Sequence, residues 1–348
     1  MQVTHWIPLN SEEMSLIGGL RTQVIESVRH LRANGVDARV VHDLSPTFSS
    51  NSIVHIYGGN ELAISKLKCA GVTVVVSPIY WPTYVYDTYA NSVHRTFIKC
   101  KSYISVINRL IRNGFNPELS CFRISIKYAR MSRMYSMVDL LVPNSSLEAN
   151  DLYNDLGVLT TSFPVHLGVD TDVFYNTKST RNDDLVLCVG RIEPHKNQLK
   201  LVKAMKNQPY RLVLAGKLHP DHKEYCNRVL SYCTKNVSYA GHGDVEFLRN
   251  LYNSAAAHIL PSWRETVGLT SLEASMCHCK IVHTRYGYGR EYLADTVHYC
   301  DPSLTSSIRD TLRRTMASDT NLQAQVRQVS TYTWENSARE LIQAYQTL

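Results

Sequence analysis

Short apolar runs alternate with amphipathic helical stretches along the chain, and this alternation constrains the fold more than any other feature. In the first half the runs are Val3–Ile7, Ala38–Val41, Ser52–Tyr57, Val72–Val76 and Leu140–Pro143. Between them, Leu20–Ala33 puts Leu20, Val24, Val28 and Leu31 on one helical face; Glu61–Ala70 and a stretch from Arg123 to Met137 also read as helices. The second half repeats the pattern. Runs at Leu185–Val189, Arg211–Ala215, Val237–Tyr239, His258–Leu260 and Lys280–His283 alternate with expected helices at Asn197–Lys206, Glu246–Ser254, Thr270–Met276 and Thr305–Ala317. Buried strands joined through helices imply parallel sheets with right-handed crossovers. The expectation is an α/β chain of two Rossmann-like domains, 1–172 and 173–331, which suits a length of 348 residues. The amphipathic stretch Trp334–Tyr345, with Ala338, Leu341 and Ile342 as its stripe, is expected to carry 332–348 back over the first domain.

An apolar share of 44% excludes wholesale disorder. No apolar stretch approaches the roughly 20 residues of a membrane span, and nothing after Met1 reads as a signal peptide. The nine cysteines contain no Cys-x-x-Cys pair, which suggests free, largely buried thiols in a reducing compartment. A cytoplasmic protein, with a peripheral membrane association left open, is the corresponding expectation.

In open α/β sheets, ligands bind just beyond the carboxyl ends of the strands. Three segments stand out there. Gly190-Arg191, with Lys196 five residues on, puts two cations beside an expected helix start, which suits an anion such as a diphosphate; two solvated cations are the plain alternative. Pro261-Ser262-Trp263-Arg264-Glu265-Thr266-Val267-Gly268-Leu269 leads into a helix carrying Glu273, a carboxylate on an apolar stripe that needs partners such as ribose hydroxyls. A helix capped by Thr266 with two solvated glutamates is the alternative there. Gly18-Gly19 precedes the first helix and would let backbone approach a phosphate, or would simply turn the chain. No Gly-x-Gly-x-x-Gly fingerprint or Walker loop is present, which lowers readings based on NAD or ATP.

Taken in order, Gly190-Arg191-Ile192-Glu193-Pro194-His195-Lys196-Asn197-Gln198, Ala215-Gly216, Tyr239-Ala240-Gly241, Leu251-Tyr252 and Pro261-Ser262 with Glu265-x7-Glu273 resemble family 4 of the retaining GT-B glycosyltransferases (glycosyl transferases group 1). His166-Leu167-Gly168-Val169-Asp170 with Phe174, Glu291 and Trp334-Glu335 extend the likeness over 166–348; before that it rests on Gly18-Gly19 and Pro143-Asn144-Ser145. The resemblance implies a GT-B architecture, two Rossmann-like domains facing across a cleft, and a UDP- or GDP-sugar donor with no metal and no cofactor. By the same resemblance Arg191 and Lys196 neutralise the leaving diphosphate, and Glu265 holds the donor sugar. Glu273 would accept ribose hydroxyls. The backbone of Thr266, Val267, Gly268 and Leu269 would touch sugar and phosphate, with Gly190, Gly216, Gly18 and Gly19 lining the donor. The implied reaction is retaining transfer to a hydroxyl acceptor, the leaving phosphate taking the acceptor proton. Many relatives carry a His after the buried strand of the first domain; here Ser77-Pro78-Ile79-Tyr80 stands there, which leaves Tyr80 or another histidine as a substitute.

Asp170-Thr171-Asp172 spells a metal-binding motif of another glycosyltransferase fold, but in this junction it is expected to be structural. His219 and His222 lack partners at zinc-ligand spacing.

The net charge of +7 is unevenly spread. Residues 95–133 carry nine basic groups against Glu118 alone, a net +8, while 134–175 carry six acidic groups and no basic one. Phe97, Ile104, Ile107 and Ile111 fall on one helical face; Arg95, Lys99, Lys101, Arg109 and Arg112 crowd the rest, with Lys127 and Arg130 following. Such a block suits an acceptor glycan on a lipid at an anionic membrane, suits nucleic-acid phosphates, or pairs with the acidic stretch. The function expected is synthesis of a cell-surface glycan. Glycosylation of modified bases in viral DNA, and nucleotide-sugar binding without turnover, are the alternatives.

Overall fold

The computed structural model describes residues 1–7, 18–42, 47–50, 52–81 and 122–348, with backbone alone over 122–127. These divide into two units, 1–166 with Ser337–Leu348, and 167–336.

In the first unit Val74, Val75 and Val76 are all fully buried, and successive side chains turn to opposite faces of the sheet. Val74 and Val76 pack with Val54, Ile56, Ile64, Leu67 and Leu152; Val75 packs with Val3, Val28, Leu31, Leu341 and Tyr345. A strand buried on both faces belongs inside a parallel sheet. β1 (Gln2–Trp6), β2 (Asp37–Val41), β3 (Ile53–Tyr57), β4 (Thr73–Ser77) and β5 (Leu140–Leu141) form one in the order β2-β1-β3-β4-β5, every pair parallel. The helices Glu61–Cys69 and Ser146–Leu156 supply one set of partners; Gly18–Ala33 and Trp334–Tyr345 supply the other. Each fully buried valine or leucine contributes about 1.5–3 kcal/mol. The last helix is also pinned by a polar contact, since Tyr345 OH lies 2.7 Å from His55 Nδ1, whose Nε2 meets Ser77 Oγ at 2.9 Å.

Helix Ser146–Leu156 has no counterpart in the expected elements. Ser145 accepts from Glu148 N at 2.9 Å, and Gly157 closes the helix in the left-handed region at φ 63°. Pro143-Asn144-Ser145 is therefore a helix entry. The buried Glu148 also accepts from Asn144 N at 2.7 Å and from Tyr80 N. Tyr80 is itself buried and donates to Asp155 Oδ2 at 3.0 Å, so its hydroxyl is committed to the interior of this unit.

The second unit is built alike. β6 (Asn182–Val189), β7 (Arg211–Ala215), β8 (Val237–Tyr239), β9 (Ala255–Leu260), β10 (Lys280–Thr284) and β11 (His298–Cys300) form a parallel sheet in the order β11-β10-β9-β6-β7-β8. Leu185, Leu187 and Val189 pack with Tyr252, Leu272 and Ala274; Val186 and Cys188 pack with Leu201, Val229, Ile308 and Leu312. Besides the expected helices, Lys223–Leu230, Gly289–Leu293 and Leu322–Val329 are present.

Among the described residues no helix is long and apolar enough to cross a membrane. The described cysteines are free, with Cys188, Cys226, Cys277, Cys279 and Cys300 buried, Cys233 half-buried and Cys69 exposed. Arg95, Lys99, Arg109 and Arg112 lie outside the described residues, as does the Lys127 side chain. Arg130 pairs with Glu61, and Arg133 lies 3.4 Å from the same carboxylate, so these two cations meet Glu61 and not the acidic 134–175 stretch.

Candidate functional site

The strand order of the second unit reverses between β6 and β9: β7 and β8 continue on one side, β10 and β11 on the other. At such a switch point the loops leaving two neighbouring strands part and open a crevice at their carboxyl ends. The Gly190–Lys196 loop leaves β6 and the Pro261–Gly268 loop leaves β9, so the topology brings two of the three singled-out segments together. Lys196 Nζ meets Glu265 Oε1 at 2.6 Å. Burial alone would raise the Glu265 pKa, but the Lys196 ammonium overrides it and holds the carboxyl down at about 2. Burial drives His195 down to about 3, helped by Lys196, so it is neutral beside this pair.

Two residues that the sequence reading left without a role hold these loops. Asn197 is buried in a left-handed conformation (φ 60°) and donates through Nδ2 to Pro261 O at 3.1 Å and Pro302 O at 2.9 Å, tying the β6 loop to that of β9. Gln198 donates to Arg191 O at 2.7 Å. Trp263 N donates to His195 O at 3.0 Å, a further strap between the loops. Glu265 is gripped through its backbone: its N donates to Tyr286 O at 3.2 Å and its O accepts from Tyr288 N at 2.9 Å. Gly287 lies between them at φ 107°, and a Cβ there would stand 1.8 Å from Glu265 O, so no side chain fits.

Arg191 is not an open cation. Its Nη2 lies 3.1 Å from Oε1 of the buried Glu193, whose other oxygen is 3.8 Å from His219 Nε2. Each cation expected to face an anion thus already has a carboxylate, Lys196 with Glu265 and Arg191 with Glu193. The Arg-x-Glu spacing is the sequence signal for the second pair.

Helix Leu269–Met276 begins from Gly268, which sits at φ 84° with no side-chain cap; Thr266 does not cap it. The first amides of this helix leave the loop that carries Glu265 and favour negative charge there. Val267 is buried in the core and Leu269 packs against the same cluster, so what they offer a ligand is backbone. Glu273 lies one turn inside, half-buried, and accepts from Tyr252 OH at 2.8 Å. Burial pushes its pKa up to about 7, against the pull of that hydrogen bond. Gly190 and Gly216 end β6 and β7, with Gly190 N donating to Ala215 O at 2.9 Å. Gly18 and Gly19 belong to the other unit, where they open the helix Gly18–Ala33 and are exposed; a Cβ at Gly18 would meet nothing.

Asp170 accepts from the backbone of Asp172 at 3.1 Å and Val173 at 3.2 Å, so it caps a turn. Among the described residues no three His, Cys, Asp or Glu side chains are grouped to hold a metal.

Residues 172–331 match the family model described as glycosyl transferases group 1. A curated relative, the O-antigen chain mannosyltransferase B of Escherichia coli, is 29% identical over 47% of this chain and 45% of its own. The chain spans about half the length of the curated relatives it matches. Among solved structures, sucrose-phosphate synthase from Thermosynechococcus elongatus superposes with a TM-score of 0.77 at 16% identity, covering 100% of this chain and 99% of the other. Anabaena HepE, solved in complex with UDP and glucose, gives 0.61 at 13% identity, with both chains fully covered at 100%. The two parallel sheets are thus those of the GT-B fold, and the likeness to glycosyl transferases group 1 falls on the second unit.

Proposed function

We propose that the chain transfers a sugar from a nucleoside-diphosphate sugar to a hydroxyl acceptor, with retention of anomeric configuration and without a metal. The observation that carries this reading is the Lys196–Glu265 pair at the β6/β9 switch point, beside the start of helix Leu269–Met276. A diphosphate entering there is drawn by Lys196, Arg191 and the helix amides, which together favour a leaving group that gains charge as the anomeric C–O bond breaks. The carboxylates suit hydroxyls: Glu265, ionised and held by its backbone, the sugar, and Glu273 the ribose. The acceptor oxygen bonds the anomeric carbon on the face the diphosphate leaves, and a diphosphate oxygen takes the acceptor proton, so the protein positions groups and stabilises charge. The UDP and glucose bound by Anabaena HepE support the donor class. The likeness to an O-antigen chain mannosyltransferase supports a cell-surface glycan as acceptor, with the basic segment at 95–133 on the acceptor side.

The test is release of UDP or GDP from a panel of donor sugars, with lipid-linked glycan, free glycan or DNA as acceptor. Glu273→Ala is expected to lower release by about a hundredfold or more while the fold survives. Release at the wild-type rate by that variant would remove Glu273 from the site.

A further inference from the structure

Tyr252 occupies a position that core packing alone does not explain. It lies near the end of helix Val245–Ser254, three residues before β9, and is fully buried. Its ring is wedged edge-on between Phe174 at 5.9 Å and His258 at 5.8 Å, and its backbone carbonyl accepts from Cys279 Sγ at 3.0 Å. A ring held from both sides and from its own backbone has one place for its hydroxyl, and that place is 2.8 Å from Glu273 Oε2. Phenylalanine would fill the same volume, so the hydroxyl acts on the carboxylate.

We propose that Tyr252 is a positioning residue of the donor site, which fixes the Glu273 carboxylate through Oε2 and leaves its other oxygen to accept the ribose hydroxyls. The inference rests on the donor-site reading above. Glu273 is half-buried while Tyr252 is closed to solvent, so a ligand can approach the carboxylate but not the phenol. Glu273 has no other hydrogen-bond partner among the described residues. Burial keeps the Tyr252 phenol protonated far above neutral pH, so its single proton is always available to donate. Around the pair, burial pushes Cys277 up to about 12 and Cys279 up to about 11, and drives His258 down to about 3, so all three are neutral at pH 7. Arg249 is paired with Glu246 at 3.6 Å, and Arg181 donates to Cys277 O at 2.7 Å. The Tyr252 hydroxyl is therefore the group that favours the ionised carboxylate, the form that accepts two hydroxyls.

The experiment measures binding of UDP and GDP, and of their 2′,3′-dideoxy counterparts, to the wild type and Tyr252→Phe between about pH 5.5 and 8.5. Wild type is expected to prefer the ribose forms, with a preference that grows as pH rises through about 7. Tyr252→Phe should move that midpoint upward and cut ribose affinity at neutral pH about tenfold, with the dideoxy forms bound as before. An unmoved midpoint, or equal losses for ribose and dideoxy forms, would overturn the positioning role. A wild type that binds both forms alike would overturn the inference together with its premise that Glu273 meets ribose.

Discussion

Lys196 and Glu265 show how one contact serves both stability and chemistry. Their side chains are 21% and 8% exposed, so each charge has lost most of its water and depends on the other. Removing one partner of such a buried pair leaves the other uncompensated, at about 3–5 kcal/mol, whereas replacing both by apolar groups is often close to neutral. Lys196→Met alone is therefore expected to lower the urea midpoint of the second unit, and adding Glu265→Leu should recover most of the loss. Nucleotide release should stay abolished in both variants. A double variant no more stable than the single one would mean that the pair does not set this balance. Asn197 holds the same two loops and was invisible in the sequence for a physical reason. Its partners are carbonyl groups on other loops, and an asparagine does not announce a backbone contact 64 or more positions away, such as that with Pro261. Glu193 was legible by comparison, because its partner Arg191 stands two residues before it.

At the level of elements, most strands were legible because they are short apolar runs, the central ones such as Thr73–Ser77 buried on both faces, and Arg211–Ala215 and Val237–Tyr239 begin and end where the sequence placed them. The strand His298–Cys300, which has no β-branched residue, was not expected. The final helix, Trp334–Tyr345, was equally plain from its stripe. The helices that escaped have short or polar faces. Lys223–Leu230 buries only Cys226 and Val229, and Ser146–Leu156 hides its entry in a Ser145–Glu148 cap that looks like a loop motif. Glu265 and Lys196 were singled out separately from their loops. Their meeting required the sheet order, because β6 and β9 lie side by side while the sequence between them passes through β7 and β8. Periodicity reports which residues are buried; it does not report which strands are neighbours.

Across the whole molecule, buried neutral histidines make stability depend on pH. Burial drives His5 in the first unit, and His195 and His258 in the second, from 6.5 down to about 3. Above about pH 6.5 they are neutral folded or unfolded and contribute no slope. Below it the unfolded chain takes up protons that the folded chain refuses, which costs up to about 1.4 kcal/mol per pH unit for each until the folded pKa is reached. Glu273, raised from 4.5 to about 7, works in the opposite direction, regaining stability as pH falls through that interval. His55 and His283, likewise buried and lowered, act with these three, so the imidazoles outweigh Glu273 and urea midpoints followed by circular dichroism should fall between about pH 7 and 5. A flat or rising profile would show that these imidazoles are not neutral in the folded protein. The central claim, however, is that the β6/β9 switch point receives a diphosphate, and calorimetric titration of UDP and GDP into wild type and Lys196→Met tests it most directly. The account predicts that wild type binds at least one of them and that the variant binds it about tenfold to a hundredfold more weakly. Binding of neither nucleotide by wild type, or equal affinity in the variant, would contradict it.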